Sequence, residues 1–228
     1  MSKKGCFELI IRLVRLFFPK VNFDNCGIEV SEPAVFVSNH EDSFGPIASY
    51  LNFPVKIYPW VLYNLFEKEI CAKQIEKEFL KGELHLIAPL RRFISLCIEP
   101  ICIGLFNYIG AIPVYHNSRR IMETIVKSIE YLEEGKNLII FPEIPDEYLN
   151  KYINRFKTGF LEVPRKAYSL NEQMLKIYPV CIDKKKRVIK LGNPTKYNPK
   201  NYFTTEKKRI EKHLEMEITR LKKEILKD

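Results

Sequence analysis

The sequence predicts an α/β fold, with a mixed, mostly parallel sheet flanked by helices and an amphipathic N-terminal helix ahead of it. Three observations carry this expectation. Apolar runs of strand length recur at residues 34–38, 111–115, 137–141 and 175–180. Helical apolar spacing separates them, and such alternation is the pattern of a parallel sheet with crossover helices. No internal repeat, low-complexity tract or linker interrupts the 228 residues, so one domain with a substantial core is expected.

The elements follow in order. In residues 6–18, Arg12 and Arg15 continue a polar stripe begun by Lys4 and Glu8, and the other positions are almost all Leu, Ile, Val or Phe. Spacings of four, four and three put these charges on one face of a helix, which Pro19 ends. Thirteen helical residues span about 20 Å, short of a hydrocarbon core of about 30 Å. The helix is therefore expected to lie in a bilayer interface or to pack on the protein itself. Ala34–Ser38 is the first strand. Ala111–Tyr115 is the second, and Pro113 assigns it to an edge. A helix with Ile121, Ile125, Val126, Ile129 and Leu132 on one face stops at Gly135, before the third strand at Asn137–Phe141. Leu175–Val180 and Arg187–Leu191 complete the strands, with Lys184–Arg187 as a solvated turn. From Thr204 onward, Ile210, Leu214, Ile218, Leu221 and Ile225 mark a last amphipathic helix with a basic outer face. The expected map is an interface helix over 1–20, a core over 21–203 and a basic helix over 204–228. Residues 84–109 are apolar but carry Arg91, Arg92, Glu99 and Pro100, which favours a pair of buried helices over a membrane span.

The formal charge is +9, and nearly all of it lies beyond residue 182. Such an end suits anionic headgroups or nucleic acid. A nucleic-acid partner is not expected, because no glycine-rich loop, aromatic platform or helix-turn-helix accompanies the charge. The six cysteines include no Cys-x-x-Cys pair, and the four histidines are scattered, so no metal site is expected. Most of the cysteines have apolar neighbours and read as small buried hydrophobes. No signal peptide is apparent, which suggests a reduced, cytoplasmic compartment.

Polar residues with chemical potential gather where the strands end. The first strand runs into Asn39-His40-Glu41-Asp42-Ser43. The second runs into His116, with Arg119 and Arg120 beyond, and the third into Pro142-Glu143. In an open parallel sheet these ends share one edge, where ligand crevices form. His116, His85 and His213 are left without a role.

Five segments in order resemble the glycerol-phosphate and lysophosphatidate acyltransferases. They are Asn39-His40-Glu41-Asp42-Ser43-Phe44-Gly45-Pro46, Gly110-Ala111-Ile112-Pro113-Val114-Tyr115-His116, Phe141-Pro142-Glu143-Ile144-Pro145-Asp146, Lys157-Thr158-Gly159 and Pro179-Val180. The resemblance implies acyl transfer from acyl-CoA or acyl carrier protein to a lysophospholipid hydroxyl, most simply that of lysophosphatidic acid. It implies no metal and no further cofactor, and a site on the cytoplasmic face of the membrane, peripheral or monotopic. His40 becomes the general base, since imidazole titrates near neutrality. Glu143 becomes an acceptor-binding carboxylate, and Lys157 a phosphate ligand. His116 stands where the family has an arginine, so Arg119 or Arg120 is assigned its role. The chain departs from the pattern twice. Gly45 replaces the Asp that orients the histidine, so Asp42 or Glu41 is expected to substitute, and Asp42 is assigned the task. Ile144-Pro145-Asp146 replaces Gly-Thr-Arg. A weakly active or inactive lipid-binding relative is the alternative these departures leave open, as is an acyltransferase for glycerol-3-phosphate or another lysolipid.

Overall fold

The computed structural model describes residues 3–77, 80, 87–115 and 119–227. His85 and His116 lie outside them. Helix α1 (Lys3–Phe17) is followed by β1 (Asn22–Asp24), β2 (Ala34–Ser38), α2 (Phe44–Asn52) and β3 (Ile57–Leu62). Next come α3 (Lys68–Gln74), α4 (Ala88–Ile109), β4 (Ile112–Val114), α5 (Ile121–Glu133) and β5 (Asn137–Ile140). The hairpin of β6 (Glu143–Tyr148) and β7 (Asn154–Phe156) precedes α6 (Glu162–Asn171). The chain finishes with β8 (Lys176–Asp183), β9 (Val188–Leu191), β10 (Thr195–Lys196) and α7 (Phe203–Ile225). The fold is α/β, with a mixed, mostly parallel sheet flanked by helices. Two compact units divide it, one of residues 1–19 and 59–124, the other of 20–58 and 125–228.

In the larger unit the strand order is β1-β9-β8-β2-β5, with β10 against β8. Strand β2 is central and parallel to both neighbours, pairing Val37 with Ile140 on one side and with Pro179 on the other. Every residue of β2 and β5 is buried. Continuous apolar runs of this kind form where helices cover both faces of a sheet. Helix α7 packs against β8 and buries Ile210, Leu214, Ile218, Leu221 and Ile225. Each such side chain contributes about 1.5–3 kcal/mol. Asn137, at the start of β5, accepts the Ala34 N–H at 2.9 Å and donates to the Lys56 carbonyl at 3.2 Å, tying three chain segments together.

Helix α7 is also pinned at its first turn. The buried Glu206 carboxylate accepts from the Asn198 N–H, the Asn201 side chain and the Arg209 guanidinium at 2.7–2.9 Å. Burial alone would raise its pKa, but these donors outweigh burial and hold it down to about 2. A carboxyl whose folded pKa lies below its unfolded value contributes stability above the unfolded value, and that contribution fades as pH falls through the folded one. Urea melts should therefore lose about 2–3 kcal/mol from this group between about pH 5 and pH 2. Glu206→Gln should remove that part of the acid dependence, and an unchanged acid limb in the variant would refute the assignment.

In the smaller unit, β4 pairs in parallel with β3, and no second partner for β4 is found among the described residues, as its proline suggested. The pair of buried helices expected over 84–109 is instead one helix, α4, with Pro100 inside it. Gly110, at φ 72°, closes α4 in the left-handed conformation a glycine adopts without strain. Nor is α4 buried: only Ser95 and Glu99 are, while Leu90, Phe93, Leu96 and Ile101 are exposed. It is long and apolar enough to cross a membrane by length and composition. Helix α1 packs on it where Phe7 stacks against Tyr108 at 5.5 Å and fills the space above Gly104. The cysteines correct another expectation. Only Cys71 and Cys181 are buried, whereas Cys6, Cys26 and Cys97 are exposed. Burial pushes the Cys71 thiol up to about 11 and the Cys181 thiol up to about 12.

Candidate active site

The site builds from the C-terminal ends of β2, β5 and β8. Ser38, the last residue of β2, pairs with Val180, so the chain leaves β2 beside Cys181, Ile182 and Asp183. The buried Asn39 side chain then locks onto that strand. Its Oδ1 accepts the Ile182 N–H at 2.8 Å and its Nδ2 donates to the Ile182 carbonyl at 2.9 Å. An amide side chain thus continues the ladder for one more step.

His40 follows with its side chain exposed. Its main-chain N–H donates to Glu143 Oε2 at 2.6 Å, and the other oxygen of Glu143 accepts the Asn154 N–H at 3.0 Å. The imidazole meets the edge of the Phe141 ring, with centroids 5.4 Å apart. Glu143 is therefore a clamp between the His40 loop and the β6–β7 hairpin. Sequence reasoning assigned it to the acceptor and missed this backbone role, which no local pattern signals.

The loop then turns sharply. Glu41 and Asp42 have φ of 49° and 54°, a region that costs a non-glycine residue about 1–2 kcal/mol. Two features hold it. Gly45 lies so close to His40 that a Cβ there would be 1.9 Å from the His40 carbonyl oxygen. The Glu41 carboxylate is taken by Lys222 of α7. Asp42 is exposed, and among the described residues no hydrogen bond joins its carboxylate, or any other, to the His40 ring.

Lys157 donates its N–H to the Pro142 carbonyl at 2.8 Å, which sets it beside Glu143, and its side chain is exposed. The structure thus groups His40, Glu143 and the Lys157 backbone within the larger unit. Arg119 and Arg120 belong to the smaller unit, ahead of α5. Arg119 is exposed. Arg120 forms two hydrogen bonds to Glu123, at 2.8 and 3.0 Å, and its guanidinium lies 3.9 Å from the Tyr115 ring centroid. Its charge is already balanced by that carboxylate.

The fold is similar to that of the 1-acyl-sn-glycerophosphate (LPA) acyltransferase PlsC from Thermotoga maritima. The two share 15% identity at a TM-score of 0.53, and the likeness covers 97% of this chain and 83% of that one. This is a kinship of fold. No family model matches the sequence, and no curated protein does.

Lys222 and Asp183 are the site residues that sequence reasoning missed. Lys222 belongs to the last helix, whose cations are expected on an outer face, yet it is buried at 8% exposure. A signal was present, since Lys222 falls four residues after Ile218 and three before Ile225, on the apolar stripe itself.

Proposed function

We propose that the protein moves an acyl group from acyl-CoA or acyl carrier protein to the free hydroxyl of a lysophospholipid, lysophosphatidic acid first among them. The observation that carries this reading is an exposed histidine at the end of the central strand, with its main chain clamped by Glu143, on a fold similar to that of an LPA acyltransferase. In this reading His40 takes the proton of the acceptor hydroxyl. The oxygen attacks the thioester carbonyl carbon, the C–S bond breaks, and the imidazolium returns its proton to the leaving thiolate. Asp42, the carboxylate nearest His40 in sequence that is not already held by Lys222, makes no bond to the ring and is given a minor part in the proposal.

Lys157 supplies a cation for the acceptor phosphate, and Arg119 is a further one proposed from sequence. A charge-assisted hydrogen bond is worth about 1.5–3 kcal/mol, so Lys157→Ala should raise the acceptor KM about 10- to 150-fold and leave the donor KM unchanged. An unmoved acceptor KM would remove Lys157 from the phosphate site.

The direct test of the function is lipid mass spectrometry after incubating the protein with acyl-CoA and a panel of lysolipids. Diacyl product from lysophosphatidic acid is expected. Absence of product from every acceptor, with either donor, would overturn the reading in favour of a lipid-binding relative. The position of Gly45 favours that second reading, because the family's orienting Asp has no room there.

The proposed location is the cytoplasmic membrane face, with the smaller unit as the contact. Helix α1 exposes Leu9, Leu13, Leu16 and Phe17 beside Arg12 and Arg15, and α4 exposes Phe93 and Leu96. Burying a large apolar side chain is worth about 1.5–3 kcal/mol, so a triple Leu16→Ser, Phe17→Ser, Phe93→Ser variant should lose well over tenfold in partitioning to anionic vesicles. These side chains are 67–82% exposed, so the fold should survive the change. Sedimentation of the variant equal to that of the parent would reject this surface.

A further inference from the structure

His40 sits in a loop whose residues on either side are both anchored to the end of β8. Asn39 holds Ile182 through that residue's N–H and carbonyl. Glu41 is held by Lys222, whose ammonium also pairs with Asp183 at 3.0 Å and donates to the Ile182 carbonyl at 3.2 Å. Asp183 is fixed in turn, because its Oδ1 accepts the Lys186 N–H at 2.7 Å. The ammonium thus has three acceptors around it and is nearly sealed from water. Burial by itself would push the Lys222 pKa down, but the Glu41 and Asp183 carboxylates reverse that and hold it above its ordinary value. Burial would raise the Asp183 pKa, and its N–H and ammonium partners hold it below the usual range.

We propose that Lys222 is a positioning residue for His40, fixing the loop backbone through Glu41 so that the imidazole is carried to one place at the end of β2. This role rests on the reading of His40 as the base. A buried ion pair is weak evidence for stability alone, and registry is its best-attested use. Here the residue held by the pair is next to the base, and it has a left-handed backbone that nothing in its own side-chain chemistry favours. The loop carries no carboxylate bonded to the ring among the described residues, so placement of the backbone has to supply orientation that the ring itself lacks.

The test compares Lys222→Met and Glu41→Gln with Ile218→Val, which removes a methylene from the buried face of the same helix. Displacement of a catalytic group by about 1 Å costs on the order of a hundredfold. Lys222→Met and Glu41→Gln should each lower kcat by about tenfold to a hundredfold, with both KM values within about twofold. Ile218→Val should keep wild-type kcat. Full kcat in both charge variants, or an equal fall in Ile218→Val, overturns the proposal. Should Lys222→Met fail to fold, Glu41→Gln decides, since it leaves the lysine its bond to Asp183. Should the parent protein turn over no acceptor, the acyl-transfer reading fails by itself. The His40 ring resonance in a proton–carbon correlation spectrum then decides the positioning role. A shift in the charge variants but not in Ile218→Val supports it, and an unmoved resonance overturns it.

Discussion

Replacement of His40 by alanine is expected to lower kcat for acyl transfer by about 10²- to 10⁴-fold, the usual contribution of a positioned general base. Stability should change by no more than about 0.5 kcal/mol, because the side chain is exposed. The comparison that gives this meaning is Glu143→Gln. That carboxylate holds the His40 N–H and the Asn154 N–H with opposite oxygens, so the amide keeps one acceptor and loses the charge from both bonds. Glu143→Gln should therefore reduce both stability and kcat, and the double variant should be little slower than His40→Ala alone, since the two act through one group. Asp42→Asn should change kcat only a few-fold, because no hydrogen bond joins Asp42 to the ring. Equal kcat for His40→Ala and the parent protein would dismiss the catalytic reading. A loss in Asp42→Asn as large as in His40→Ala would show that Asp42 swings onto the ring when substrate binds.

At Gly45 a large loss is expected from the smallest change. A Cβ would sit 1.9 Å from the His40 carbonyl oxygen and 2.9 Å from its carbon, both main-chain atoms with no flexible end to yield. Gly45 is the second residue of α2 and does not have a positive φ, so the obstacle is space and not backbone conformation. Gly45→Ala should cost about 3 kcal/mol or more in urea melts, at the upper end of overpacking penalties. It should lower kcat as well, because the displaced atom belongs to His40. Gly45→Asp, which would restore the family's acid, should do no better than Gly45→Ala. A gain of activity in Gly45→Asp would mean that the loop has a different course from the one described.

Much of the fold was legible because it rests on local periodicity. Strands β2 and β5 are buried at every position and read as apolar runs broken only by Ser38 and Asn137 at their ends, and the stripe from Ile210 to Ile225 marks the face of α7 that meets β8. Strand β3 was not anticipated, since Ile57–Leu62 carries Pro59 and no alternation. Residues 84–109 misled for a related reason. Charges and a proline argue against an exposed apolar helix on average, yet α4 buries Glu99 and keeps Pro100 within a continuous helix. The site was legible in kind but not in role. Position at a strand end pointed to His40 and Glu143, whereas what Glu143 and Lys222 hold is decided by partners that no spacing rule reaches.

The same distances bear on how the molecule assembles. The bonds around His40 join residues 103, 143 and 181 positions apart, to Glu143, Ile182 and Lys222 in turn. Strand β2 is made early but cannot be completed until β8 has emerged, because its two neighbours come from later in the chain. Contacts of such separation close slowly, since loop entropy is lost before any bond rewards it. On the ribosome the apolar run Ala34–Val37 waits unpaired on one side until β8 has been made, a window in which it is exposed to aggregation and to chaperones. The histidine is thus among the first groups of the site to be synthesised and among the last to be locked in place.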